Sequence, residues 1–106
     1  RMGRWDAVLL VNLLHLIPTP TAATVLDGIA AALAPDGVAF VYGPFLRGGQ
    51  ATSSGDAAFD ASLRAQDPDI GYKDLAWVTG RLASAGLRVE LQEMPANNLI
   101  LIARRH

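Results

Sequence analysis

The chain has no cysteine, two histidines in 106 residues, and no surplus of either charge: nine Lys and Arg stand against ten Asp and Glu, a net charge of −1. Without thiols there is no disulfide scaffold, thiolate metal site or cysteine nucleophile. Two histidines, His15 and the C-terminal His106, argue against a histidine-rich metal site. The missing basic excess argues against a non-specific nucleic-acid or membrane-surface binder. Long apolar runs are missing too. The nearest approach, residues 7–17, is interrupted by Asn12 and His15, and its eleven residues are too few to cross a bilayer. Two arginines precede that run, but Asp6, Asn12 and His15 are wrong for a secretory leader. A strand followed by a polar loop is expected instead, in a cytoplasmic protein without nucleic-acid or membrane partners. What is present is 51% apolar residues, ten glycines and six prolines. That composition excludes intrinsic disorder and suits one soluble core, with roughly 65% of the extended surface buried on folding.

Residues 5–11 carry no polar alternation, the pattern of a strand covered on both faces inside a parallel sheet. Asn12 to Pro18 turns away. Thr19 is a candidate N-cap with Pro20 at the first helical position. Ala22, Val25, Leu26, Ile29 and Leu33 then recur at helical spacing, predicting a helix over about 20–34. Ala34-Pro35-Asp36-Gly37 is a turn, and residues 38–42 form a second apolar strand closed by Gly43-Pro44. A glycine- and serine-rich loop follows from Phe45 to Gly55. Ser53 or Ser54 can cap a short helix over about 56–66, ended by Asp67-Pro68. Asp74 opens a third helix, to about 85, with Leu75, Val78 and Leu82 on one face and Gly86 as its terminal glycine. Leu87, Val89 and Leu91 alternate with Arg88, Glu90 and Gln92, predicting a half-exposed edge strand. The connection Pro95-Ala96-Asn97 is too short for a parallel crossover, so the final apolar strand, Asn98 to Arg104, must run antiparallel to it. Three of these four strands ask for cover on both faces, and the first has no earlier strand to sit beside. The set reads as the second half of a larger α/β sheet.

The run Asp6 to Asn12, the polar loop with His15, the helix, and Leu33-Ala-Pro-Asp-Gly37 leading into the strand ending at Gly43 resemble the fourth strand, following helix and fifth strand of class I S-adenosylmethionine (SAM)-dependent methyltransferases. The terminal hairpin resembles that superfamily's sixth and seventh strands. Three further motifs resemble the methyltransferase-like protein 26 family: Tyr42-Gly43-Pro44-Phe45, Phe59-Asp60 through Leu63-Arg64 to Asp67-Pro68, and Met94-Pro95-Ala96-Asn97-Asn98-Leu99. The resemblance implies a partial Rossmann-like sheet of order 4-5-7-6 with its last strand antiparallel. Residues 1–106 would be a single C-terminal half-domain without the N-terminal cofactor-binding half. No G-x-G-x-x-G follows a strand here, and Gly48-Gly49 does not open a helix in the way a phosphate or cofactor loop requires.

In doubly wound sheets ligands bind beyond the carboxyl ends of the strands. The resemblance therefore puts Asn12, Leu13 and Leu14 on one wall of a SAM site in the full-length parent, with no cofactor expected on this chain alone. It makes His15 a candidate base or orienting residue and Tyr42 a second catalytic candidate. Their bland alternatives are loop satisfaction for Asn12, a turn cap for His15 and a core ring for Tyr42. Arg47, Asp60 and Arg64 are candidate substrate contacts. Asp60 and Arg64, four apart on a helix, with Asp67, fit better as a salt-bridge set pinning the long loop. Asn97 and Asn98 are expected as turn residues at the hairpin end, opposite the site. Trp77 is expected to pack, and His106 to fray. The functional expectation is a fragment of a SAM-dependent methyltransferase, inactive alone. The alternative is a non-catalytic assembly module that dimerises, or takes up the missing half, through the unprotected strand at 5–11. A complete small nucleotide-binding domain is disfavoured by the lack of any phosphate loop.

Overall fold

The computed structural model describes residues 5–105; His106 lies outside them. Among them four strands and three α-helices follow in the order β1 (Trp5–Val11), α1 (Thr19–Ala32), β2 (Leu33–Gly43), α2 (Ser54–Gln66), α3 (Leu75–Ser84), β3 (Leu87–Glu93) and β4 (Leu99–Arg105). They build one mixed sheet of order β1-β2-β4-β3. β1 and β2 are parallel, and β4 is antiparallel to both β2 and β3. The expected α/β class, with its last strand antiparallel to its neighbours, is the one found.

Helices α1 and α3 cover one face. Their Leu26, Ile29, Val78 and Leu82 meet Leu33, Ala39, Val41, Leu87, Leu101 and Ala103 of the sheet in a continuous core. Each fully buried leucine there is worth about 1.5–3 kcal/mol relative to exposure. The opposite face is bare. Leu9 pairs in register with Phe40, and Phe40 with Ile102, yet Leu9 remains 68% exposed. Trp5 and Val11 are also at least half exposed. Among the described residues nothing packs on the outer face of β1, and its free edge has no neighbouring strand, so the second cover its sequence asks for does not come from them.

The ends of the elements follow local chemistry, with two departures. Ser53 caps α2, its Oγ accepting from Asp56 N at 3.0 Å, and Asp74 caps α3 by accepting from Ala76 N at 2.9 Å. Thr19, however, is not a cap. Pro18 holds that position, Thr19 is already helical, and no side chain caps α1. Pro20 brings no N–H, so this helix start has fewer donors to satisfy. α1 also stops at Ala32 rather than 34, because Leu33 is already extended and pairs with Trp5. The expected turn at 34–37 becomes an excursion within β2: pairing resumes only at Ala7 with Val38. Trp77 packs against the core as expected. No helix among the described residues is long and apolar enough to cross a membrane.

Candidate functional site

β1, β2 and β3 all point the same way, so the segments after Val11, Gly43 and Glu93 gather at one end of the sheet. The hairpin at 94–98 thus lies at the carboxyl end with the other loops, not opposite the site as the sequence suggested. The cause is α3, which returns the chain so that β3 runs parallel to β2. Asn98 Nδ2 donates to the Tyr42 hydroxyl at 3.3 Å, and Arg47 pairs with Glu93 at 2.6 Å.

At this end the candidate residues separate. Asn12 is exposed with a left-handed backbone (φ 53°), and its N–H donates to Tyr42 O at 2.9 Å, which closes β1 against β2. Leu13 is half-buried, whereas Leu14 is in the core and presents no side chain outward. Tyr42 is half-buried, with its hydroxyl held by Asn98. Arg47 is engaged by Glu93 and lies beside the Gly48-Gly49 turn, whose φ values of 62° and 79° are left-handed.

His15 is 7% exposed, in a single 3-10 turn spanning Leu14–Leu16. Its ring meets Phe59 edge-on at 5.9 Å and Tyr72 at 5.8 Å, and these two rings lie 6.1 Å apart. Phe59 comes from α2 and stays half exposed, so the trio opens to solvent on that side. Burial, and then the neighbouring Lys73 ammonium, push the His15 imidazole below the usual histidine value.

Around this trio lies a polar clamp. Tyr72 OH donates to Asp56 Oδ1 at 2.7 Å, and Asp56 Oδ2 accepts from Ser53 Oγ at 2.8 Å and, more loosely, from Asn97 Nδ2 at 3.5 Å. These donors, the Tyr72 hydroxyl first, hold the Asp56 carboxyl below the ordinary value, while burial and Asp56 push the Tyr72 phenol up. Asp60 and Arg64 do pair, at 3.1 Å. They pin residues 71–72 rather than the long loop: Asp60 Oδ1 accepts from Tyr72 N at 2.7 Å, and Arg64 Nη2 donates to Tyr72 O at 3.0 Å. Asp67 is outside this set and accepts from Asp69 N at 2.9 Å in its own turn.

Sequence reasoning passed over Tyr72, Lys73 and Asp56. Lys73 is the chain's one lysine, and at 6% exposure it is buried. Its position between Tyr72 and the capping Asp74, with no solvated charge run beside it, was the available signal. A cleft of ≈ 240 Å³ at this end is lined by Leu46, Arg64, Tyr72, Lys73, Asp74 and Trp77 among others. A roomier depression of ≈ 510 Å³, beside Asp27, Arg81 and Arg105, lies at the opposite end, away from where such sheets bind ligands. Among the described residues no three His, Asp or Glu gather as a metal site.

Asn12 stands at the open edge of β1, and no glycine-rich strand-to-helix turn is among the described residues.

Solved structures share this architecture. An O-methyltransferase family protein from Burkholderia thailandensis matches with a TM-score of 0.85 and 22% identity, over 97% of this chain and 31% of its own. An O-methyltransferase family 2 protein from Planctomyces limnophilus, solved in complex with apigenin, gives 0.83 and 19%, over 95% and 31%. Human N-acetylserotonin methyltransferase, in complex with SAM, gives 0.80 and 19%, over 94% and 29%. At these identities the likeness is one of fold, and the chain spans about a third of those proteins. A family model described as Protein of unknown function (DUF938) matches residues 2–105, and the chain belongs to that family.

Proposed function

We propose that this chain is the acceptor-side portion of a cytoplasmic SAM-dependent methyltransferase, with His15 as its general base. The observation that carries this reading is the buried imidazole of His15, enclosed by Phe59 and Tyr72 at the carboxyl end of β1 in a methyltransferase-like sheet. The narrower likeness to the methyltransferase-like protein 26 family, on the Tyr42, Phe59–Pro68 and Met94–Leu99 motifs, supports it. SAM, when bound, would supply the methyl group, and Asn12 with the backbone at Leu13 and Leu14 would form the wall against it. His15 takes the proton from the acceptor nucleophile. The open side of the aromatic trio, at Phe59, admits that acceptor, while Tyr42 at the end of β2 and Arg47 in the loop after it border the same end of the sheet. Asp60 and Arg64 act through the 71–72 segment instead of touching substrate. The chain alone supplies too little of the cofactor site to be active.

Calorimetry of the 106-residue chain with S-adenosylhomocysteine is expected to show no micromolar binding. Such binding would refute the division of labour. In a protein joining this chain to a glycine-rich cofactor-binding unit, His15→Gln is expected to lower turnover by about 10²–10⁴-fold at unchanged cofactor affinity.

The free edge of β1 and its exposed Trp5, Leu9 and Val11 favour a second reading, a non-catalytic module that assembles through this strand. Light scattering decides it: a monomer at high micromolar concentration counts against self-assembly.

A further inference from the structure

We propose that Tyr72 and Lys73 are positioning residues for His15: the segment Gly71–Lys73 is a strap that fixes the imidazole and keeps it free to accept a proton. This rests on the reading of His15 as the base. The strap reaches the His15 loop by three routes. Gly71 N donates to His15 O at 3.0 Å, which fixes the main chain beneath the ring. Lys73 Nζ donates to Ile17 O at 2.7 Å and to Gly71 O at 2.9 Å, so its ammonium closes the loop after β1 onto the strap itself. The Tyr72 ring stands edge-on against the imidazole, 74° between planes.

The strap is in turn held rigidly. Tyr72 is bonded through its hydroxyl to Asp56, through its N–H to Asp60 and through its carbonyl to Arg64, three residues of α2. Gly71 has φ 132°, and a Cβ there would lie 2.8 Å from both Asp60 Oδ1 and Arg64 Cζ, so strap and helix are in close contact. On the far side Leu46 N donates to Lys73 O at 2.9 Å and Leu75 N to Leu46 O at 2.8 Å, which ties in the loop after β2.

Lys73 is a costly choice for a packing residue. An ammonium taken from water needs partners, and this one has two carbonyls and no carboxylate within ion-pair distance among the described residues. A methionine would fill the space without that cost. What the charge adds is a positive neighbour to His15, which disfavours the imidazolium. The charged groups of this assembly are Lys73 on the strap and Asp56, Asp60 and Arg64 on α2.

The test reads the His15 ring by NMR titration of the 106-residue chain, with His106→Gln leaving a single histidine. Lys73→Met is expected to raise the His15 midpoint, though not to the ordinary histidine value, because burial persists. Tyr72→Phe keeps the ring but releases it from Asp56, and the ring-current displacement of the His15 carbon-bound protons is expected to shrink. If both variants keep the wild-type circular dichroism and leave the His15 midpoint and shifts unchanged, the positioning role is overturned. Should Lys73→Met fail to fold, Tyr72→Phe and Asp56→Ala decide by the same ring-shift criterion. No methyl transfer is measured, so unchanged spectra overturn the strap alone. A His15→Gln enzyme that keeps its turnover overturns the reading of His15 as base.

Discussion

Two leucines on opposite faces of one sheet should differ sharply in what they contribute. Leu101 lies in β4, paired with Val41 on one side and Leu91 on the other, and is fully buried beneath α1 and α3. Leu101→Ala removes its buried methyl groups and leaves a hole that rigid strand neighbours cannot fill, a loss of about 2–5 kcal/mol. Leu9, in β1, keeps 68% of its surface in water. Only about a third of its side-chain burial is at stake, about 0.5–1 kcal/mol even for complete removal. A chain of this size has roughly 5–15 kcal/mol in total, so the first variant sits near the limit of folding and the second does not. In melting temperature, a 3 kcal/mol loss corresponds to roughly 12–24 °C. Urea titration by circular dichroism, at two protein concentrations a hundredfold apart, measures both. Equal losses for Leu9→Ala and Leu101→Ala at low concentration would refute the reasoning, because the outer face would then be part of the core. A Leu9 penalty present only at high concentration would show instead that this face is covered by a second copy.

Three further outcomes are expected. Gly71→Ala places a left-handed alanine 2.8 Å from Asp60 and Arg64 and should cost about 1–3 kcal/mol, read as a lower urea midpoint. Asp74→Ala removes the acceptor for Ala76 N and Gly49 N and should cost about 0.5–2 kcal/mol, with α3 fraying first in amide exchange. Stability should also fall on acidification in two stages. His15 is held below its ordinary 6.5, so the unfolded chain binds the extra proton, and stability present above that pH is lost as pH falls through the folded value. Asp56, held below 3.8 chiefly by the Tyr72 hydroxyl, contributes stability that is lost only as pH falls lower still. His15→Gln should abolish the first stage and leave the second, as measured by thermal melts across pH.

Local chemistry made much of the fold legible. Ser53 and Asp74 cap the helices assigned to them, Gly86 ends α3 with φ 89°, and the short Pro95–Asn97 turn forces β4 antiparallel to β3. Each depends on a few neighbouring residues, which is the range over which sequence patterns act. The misreadings depend on distance. Thr19 lost its capping place to the proline-rich entry of α1, and the 34–37 turn lies within β2 because Trp5, far away in sequence, reaches Leu33. Asp60 and Arg64 pair as their spacing predicts, but what they hold, the backbone at Tyr72, was invisible from the spacing.

The sequence by itself determined the order of strands and helices, the lack of any thiol, and the candidacy of His15. Periodicity, caps and composition are local or additive properties, and they survive without coordinates. Only the tertiary structure decided that Phe59, Tyr72 and Lys73 surround His15, that the 94–98 hairpin lies beside it, and that one face of the sheet stands open. Those are contacts between segments far apart in sequence, such as Lys73 with Ile17 and Asn98 with Tyr42, each 56 positions apart. They form because parallel strands carry their following loops to one end, a consequence of chain direction that no single stretch of sequence contains.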